Sequence, residues 1–196
     1  MSEGVEKMTR AEHARLDRLR ELTSVSAGHA ASAFSQLTGR TIEMRTPELL
    51  RDPKWPAKVA GDWTSGVLFE FEGCLEAVVA ILFRAPVRDI VARQMLSESA
   101  ELTRESAEAA IMELGNILVS RVASAIADTL GERLLPSIPV LAYADAAEQL
   151  DILCAEFQAE SSVRIECEFA DREGELGGLL VLIPAAAEKD QIPRDL

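Results

Sequence analysis

Apolar residues fall three and four apart at Ile111, Leu114, Leu118, Val122 and Ala125. That spacing predicts a helix with one buried face, running from about Thr103 to Leu130 and stopped by Gly131. A second long helix is predicted from about Thr9 to Leu37. Thr9-Arg10-Ala11-Glu12 has the capping-box pattern, in which hydroxyl and carboxylate satisfy the first free amides, and Gly39 supplies a C-terminal stop. Elsewhere the period changes to two. VLFEFEG and RIECEFA alternate, whereas VVAILF and LLVLI are unbroken apolar runs suited to a buried strand. They give strands over 67–72, 76–84, 162–169 and 176–183, with Pro47 and Pro139 each closing a short strand-like connection. A shorter helix is expected over 86–98; the span 145–158 fits helix or strand, with helix preferred, and 185–196 reads as a tail.

The pattern occurs twice. ELTSVSAGHAASAFSQLTGRTIEMRTP at 21–47 aligns without gaps to ELGNILVSRVASAIADTLGERLLPSIP at 113–139, an offset of 92 that matches Glu21 to Glu113, Gly39 to Gly131 and Pro47 to Pro139. Downstream, GCLEAVVAILF at 73–83 parallels GELGGLLVLIP at 174–184 with the offset grown to 101, so the second copy carries about nine extra residues between the blocks. Two blocks in the same order argue for an internal duplication. No Gly/Ser linker separates the copies. The expectation is an α/β (α+β) fold: one domain over 1–196 with pseudo-two-fold symmetry, long helices packed on a mostly antiparallel sheet. Repeat one covers about 9–92 and repeat two about 101–184.

Composition then removes whole classes of function. The 196 residues carry 33 acidic and 20 basic side chains, net −13. That disfavours nucleic-acid binding, which needs a basic face to displace phosphate counterions, and docking on an anionic membrane. No unbroken apolar run approaches the ~18 residues that span a bilayer, and MSEGVEKMTRAEHARLDR lacks the apolar core of a signal peptide, so a cytoplasmic location is expected. Cys74, Cys154 and Cys167 are odd in number, widely spaced and set in apolar stretches, so three buried thiols are expected rather than a disulfide framework or zinc site. His13 and His29 both fall in the first helix with no evident partner, and neither GxxxxGK[ST] nor GxGxxG occurs. Trp55 and Trp63, in DPKWPAKVAGDW, are expected as loop anchors on the core, and Asp151, Glu156 and Glu160 as solvated acids without metal-ligand spacing. The acidity is uneven: residues 1–92 hold 12 basic against 13 acidic side chains, and 93–196 hold 8 against 20. Almost all the excess lies in the second copy, which therefore suits a partner offering basic residues and cannot draw in an anion by its field.

Chemistry is most concentrated on the duplicated helix. Glu113 and Asn116 are three apart and project from the side opposite the apolar stripe, together with Ser120. Neither is a good nucleophile there. Asn both donates and accepts hydrogen bonds and so can hold a water in a set direction, while Glu can pair with a cation on a partner. Exposed Glu and Asn on a helix are ordinarily just solvated; the repeat is what sets this pair apart.

In the duplicated helices the sequence resembles the CheC/CheX/FliY phosphatase family of chemotaxis, which carries the pattern [Asp/Ser]-x3-Glu-x2-Asn-x22-Pro. Glu113-x2-Asn116-x22-Pro139 matches, with Ala109 where Asp or Ser is expected. Copy one reads Asp17-x3-Glu21-x2-Ser24-x22-Pro47, with Ser24 in place of Asn. The resemblance covers about residues 10–184, and its two repeats look like CheC rather than the shorter CheX. It implies hydrolysis of the aspartyl phosphate of a CheY-type response regulator, Asn116 orienting the attacking water and Glu113 docking against a regulator lysine. It implies a weak or dead second site at Asp17, Glu21 and Ser24. No cofactor or metal is expected on this chain; the Mg2+ belongs to the phosphorylated partner. Two alternatives follow from the same resemblance: an adaptor that binds the deamidase CheD with little or no turnover, and a flagellar-switch component that uses the fold for assembly.

Overall fold

The computed structural model describes residues 9–51, 63–95, 102–159 and 163–186. Helix α1 spans Arg10–Thr38, and α3 spans Arg104–Leu130. Both begin with a capping box, Thr9 with Glu12 and Thr103 with Ser106. Both end on a left-handed glycine, Gly39 at φ 66° and Gly131 at φ 69°, whose amides donate to Ser35 O and Ala127 O. Glycine fits there because a Cβ is strained at positive φ. Between them α2 spans Ala85–Met95, and α4 spans Ala146–Phe157, which settles the ambiguous stretch as helix.

The strands are β1 Ile42–Met44, β2 Glu48–Arg51, β3 Ser65–Gly73, β4 Ala77–Phe83, β5 Leu134–Pro136, β6 Val140–Tyr143, β7 Val163–Asp171 and β8 Gly177–Pro184. All pairings are antiparallel, in the order β1-β7-β8-β4-β3-β5, with β2 also on β7 and β6 also on β3. Counterparts β4 and β8 pair at the centre, Ala80 opposite Val181 and Ile81 opposite Leu180. An antiparallel pair of equivalent strands places the pseudo-two-fold axis perpendicular to the sheet between them. Each connection around Pro47 or Pro139 is a pair of short strands rather than one, and these are exchanged: β1 and β2 finish the sheet on β7, β5 and β6 on β3. Each half therefore closes the other.

The unbroken apolar strands are explained by burial on both faces. Ala77, Val79, Ile81 and Phe83 of β4 face the large core under α1 and α3, which also holds Leu19, Phe34, Ile111, Leu118 and Ile126. Val78, Ala80 and Leu82 face a second core with Leu150, Leu153 and Cys154 of α4. The helices thus lie on both sides of the sheet, α4 opposite the long pair. Counterparts β3 and β7 begin at 65 and 163, and β4 and β8 at 77 and 177, so the extra residues of copy two enter both around α4 and in the β7–β8 turn.

The expected tail is corrected at its start. Ala185 is buried, bridges to Ala159 and donates its amide to Glu76 O, so the expected tail does not begin there; residues 187–196 lie outside the described residues. Helix α3 is long and apolar enough to cross a membrane by length and composition, because its single charges interrupt but do not outweigh its apolar side chains. Its apolar face is committed to the core through Ile111, Leu114, Leu118 and Val122. Cys74, Cys154 and Cys167 are free and buried. Trp63 is half-buried against the second core with Arg84 stacked 4.2 Å from its ring; Trp55 and Glu160 lie outside the described residues.

Candidate functional site

Glu113 and Asn116 occupy adjacent turns of α3, between the buried pairs Ala110-Ile111 and Leu118-Val119. Glu113 is exposed and Asn116 half-buried. Leu114 and Gly115, between them, face the core. A Cβ at Gly115 would overlap Val67 Cγ2 and stand 2.8 Å from Val67 Cβ, so the turn carrying Asn116 rests directly on β3. Sequence reading missed this glycine, which has a helical φ and no turn to mark it. In copy one Thr23 takes its place, buried, with its hydroxyl donating to Leu19 O at 2.8 Å.

Asn116 accepts a 2.7 Å hydrogen bond from Ser120 Oγ at its backbone carbonyl, which pins the helix and leaves the carboxamide alone. Among the described residues the Asn116 carboxamide and the Glu113 carboxylate have no hydrogen-bond or ion-pair partner. Both present their polar atoms to whatever lies against this side of the helix, and the amide can then donate one hydrogen bond while accepting another. Ala109, one turn before Glu113, is exposed and adds no polar group.

The copy-one residues also come together. Asp17, Glu21 and Ser24 line one open groove of about 590 Å³ with Arg18, Arg20, Thr46 and Pro47. The sequence pairs Pro47 with this helix only through a 22-residue spacing; the fold brings it beside Ser24 because β1 and β2 pack under α1. Counterparts Ile138 and Pro139 lie between β5 and β6, which pack in the same way against α3. Ser24 Oγ ends one bond beyond its Cβ, whereas a carboxamide reaches further, so the two sites differ in depth as well as in chemistry. His13 and His29 are exposed on α1; His13 Nδ1 lies 3.1 Å from Thr9 O. Asp151 and Glu156 are exposed on α4. Among the described residues no group of three or more His, Cys, Asp or Glu side chains is placed to hold a metal ion.

The CheC-like family model matches residues 16–51, the segment holding Asp17, Glu21, Ser24 and Pro47. The CheY-P phosphatase CheC of Bacillus subtilis (strain 168) is 29% identical over 133 residues, covering 63% of this chain and 64% of that protein. The match thus spans slightly less than two thirds of the curated relative. The crystal structure of Thermotoga maritima FliY is similar with a TM-score of 0.62 and 18% identity, over 91% of this chain and 92% of that one. In the CheX-CheY-BeF3-Mg2+ complex from Borrelia burgdorferi the similar chain has a TM-score of 0.56 and 17% identity, over 83% of this chain and 96% of that one. This chain is thus similar in sequence to CheC-like proteins and shares its fold with the solved CheX and FliY structures.

Proposed function

We propose that this chain hydrolyses the aspartyl phosphate of a CheY-type response regulator, with one working site at Glu113 and Asn116. The observation that carries the reading is the pair of unpartnered side chains one turn apart on α3, held by the seat of Gly115 on β3. The curated relative named a CheY-P phosphatase and the CheX-CheY complex support the same substrate class. In this reading the Asn116 carboxamide orients a water in line with the phosphorus. A bond forms from the water oxygen to phosphorus as the bond to the aspartyl oxygen breaks, releasing inorganic phosphate and a free carboxylate. Little covalent work is left for the protein, so positioning carries the rate. Glu113 pairs with a cation of the regulator and sets the register. The regulator supplies the phosphorylated side chain and its own Mg2+, and both proteins act in the cytoplasm.

Phosphate release from the phosphorylated regulator tests this, comparing the chain with Asn116→Ala and Ser24→Ala. Loss of water positioning lowers turnover by about 100-fold in Asn116→Ala, with Ser24→Ala near wild type. Undiminished turnover in Asn116→Ala removes the site assignment. The adaptor reading draws on the departures at Ser24 and Ala109. Binding of CheD without phosphate release would favour it.

A further inference from the structure

The two sites differ most in what surrounds them. Around Glu21 and Ser24 the rim is charged and polar, with Arg18, Arg20 and Thr46 in the groove. At the 92-residue offset these positions become Ala110, Met112 and Ile138 around Glu113 and Asn116. Ile138 is 88% exposed, and Leu135, whose counterpart is Glu43, is 48% exposed. Scattered apolar side chains on a surface need no explanation, but a nearly bare isoleucine at the counterpart of the groove-lining Thr46 does.

Ile138 is also held still. The preceding residue, Ser137, donates its amide to Glu70 O at 2.8 Å and accepts from the Glu70 amide at 2.9 Å through Oγ, which itself donates to Ile138 O at 3.1 Å. The turn is thereby tied to β3, the strand on which α3 rests at Gly115. Site and isoleucine share one rigid support. In copy one the equivalent turn carries Arg45 and Thr46, and Thr46 lines the same groove as Glu21 and Ser24. The pseudo-symmetry therefore puts Ile138 at the rim of the Glu113–Asn116 site.

We propose that Ile138 is an apolar anchor that seats the phosphorylated regulator on the second-copy site and confines productive docking to that copy. The occupant follows from continuity with the candidate site: a partner placed to offer its phosphoryl group to Asn116 covers the adjacent rim, and it needs an apolar patch beside its phosphorylated aspartate to accept the isoleucine. This rests on the proposed phosphatase reading. Preorganised apolar anchors act on affinity rather than on the chemical step.

The test uses the full chain with a CheY-type regulator, loaded with magnesium and beryllofluoride for binding and phosphorylated for turnover. Burial of an isoleucine predicts that Ile138→Ala and Ile138→Asp weaken binding and raise KM by about tenfold or more, with kcat within about twofold of wild type. Asn116→Ala shows the reverse, lowered kcat with near-normal binding. Since Ile138 is exposed, unchanged melting temperatures confirm that the variants fold. Wild-type binding and KM in both Ile138 variants, with Asn116→Ala still impaired, overturn the anchor and leave the phosphatase reading standing. A wild-type chain that neither binds nor hydrolyses the regulator overturns both. A lower oligomeric state in Ile138→Asp than in the wild-type chain, with regulator binding intact, assigns the residue to self-association and also overturns the proposal.

Discussion

Gly115→Ala adds one methyl group where the site is most tightly built. The new Cβ overlaps Val67 Cγ2 and stands 2.8 Å from Val67 Cβ and 2.9 Å from Cγ1, against an ordinary contact of 3.4–4 Å. Turning Val67 about χ1 moves its methyl groups but not its Cβ, so rotation alone does not clear the clash. Helix α3 has to lift from β3 or the strand has to give. Overpacking of this kind costs about 1–3 kcal/mol, and the backbone-bound Cβ of Val67 argues for the upper part of that range. Alanine returns about 1 kcal/mol of helix propensity over glycine. The net is a destabilisation of about 1–2 kcal/mol, or roughly 2–8 °C in Tm for a chain of this size. Urea unfolding followed by circular dichroism measures it. Val67→Ala in the same chain removes both methyl groups and should recover part of the loss, so the double variant is more stable than the two single changes added together. The neighbouring carboxamide moves with the turn, so turnover should fall more than stability at the assay temperature explains. Gly115→Ala as stable as the parent, or with no coupling to Val67→Ala, would refute the reasoning.

Two further predictions concern titration. Burial opposes ionisation of Asp171, but its bonds from the Leu176 amide and the Arg40 guanidinium outweigh that and hold its pKa below the ordinary aspartate value. A depressed folded pKa gives stability that is complete above the unfolded pKa near ~4 and is lost as pH falls through the folded one. Asp171→Asn should lose about 1–3 kcal/mol at pH 7 and show a shallower acid limb below about pH 4 in urea unfolding. Burial pushes the Cys167 thiol up to about 11, and burial with the Asp151 charge pushes Cys154 to about 12. The folded chain at pH 8 should therefore leave these two thiols unmodified by a disulfide reagent and release their full reactivity in denaturant; rapid labelling without denaturant would contradict their burial.

The long helices were legible because each carries its own signals: a capping box at Thr9, stops at Gly39 and Gly131, and a 3.6-residue apolar stripe. Glu113 and Asn116 stand out in the sequence as candidates because the same helix occurs twice. The three-residue strands β1 and β5 were not, since so short a segment has no period, and their exchange between the halves depends on contacts distant in sequence. Residues in VVAILF gave burial but not partners; that alternate side chains meet α4 on one face and α1 with α3 on the other required the fold. Ile138 read as one more apolar residue of LLPSIP, and only its exposure on the Ser137 turn sets it apart.

The central claim is that Asn116 positions the hydrolytic water. Single-turnover decay of the phosphorylated regulator, followed as released phosphate at saturating chain, isolates that step from binding. The account predicts a rate lowered about 100-fold in Asn116→Ala and scarcely altered in Ser24→Ala. Equal rates for the chain and Asn116→Ala, or a loss confined to Ser24→Ala, would contradict it.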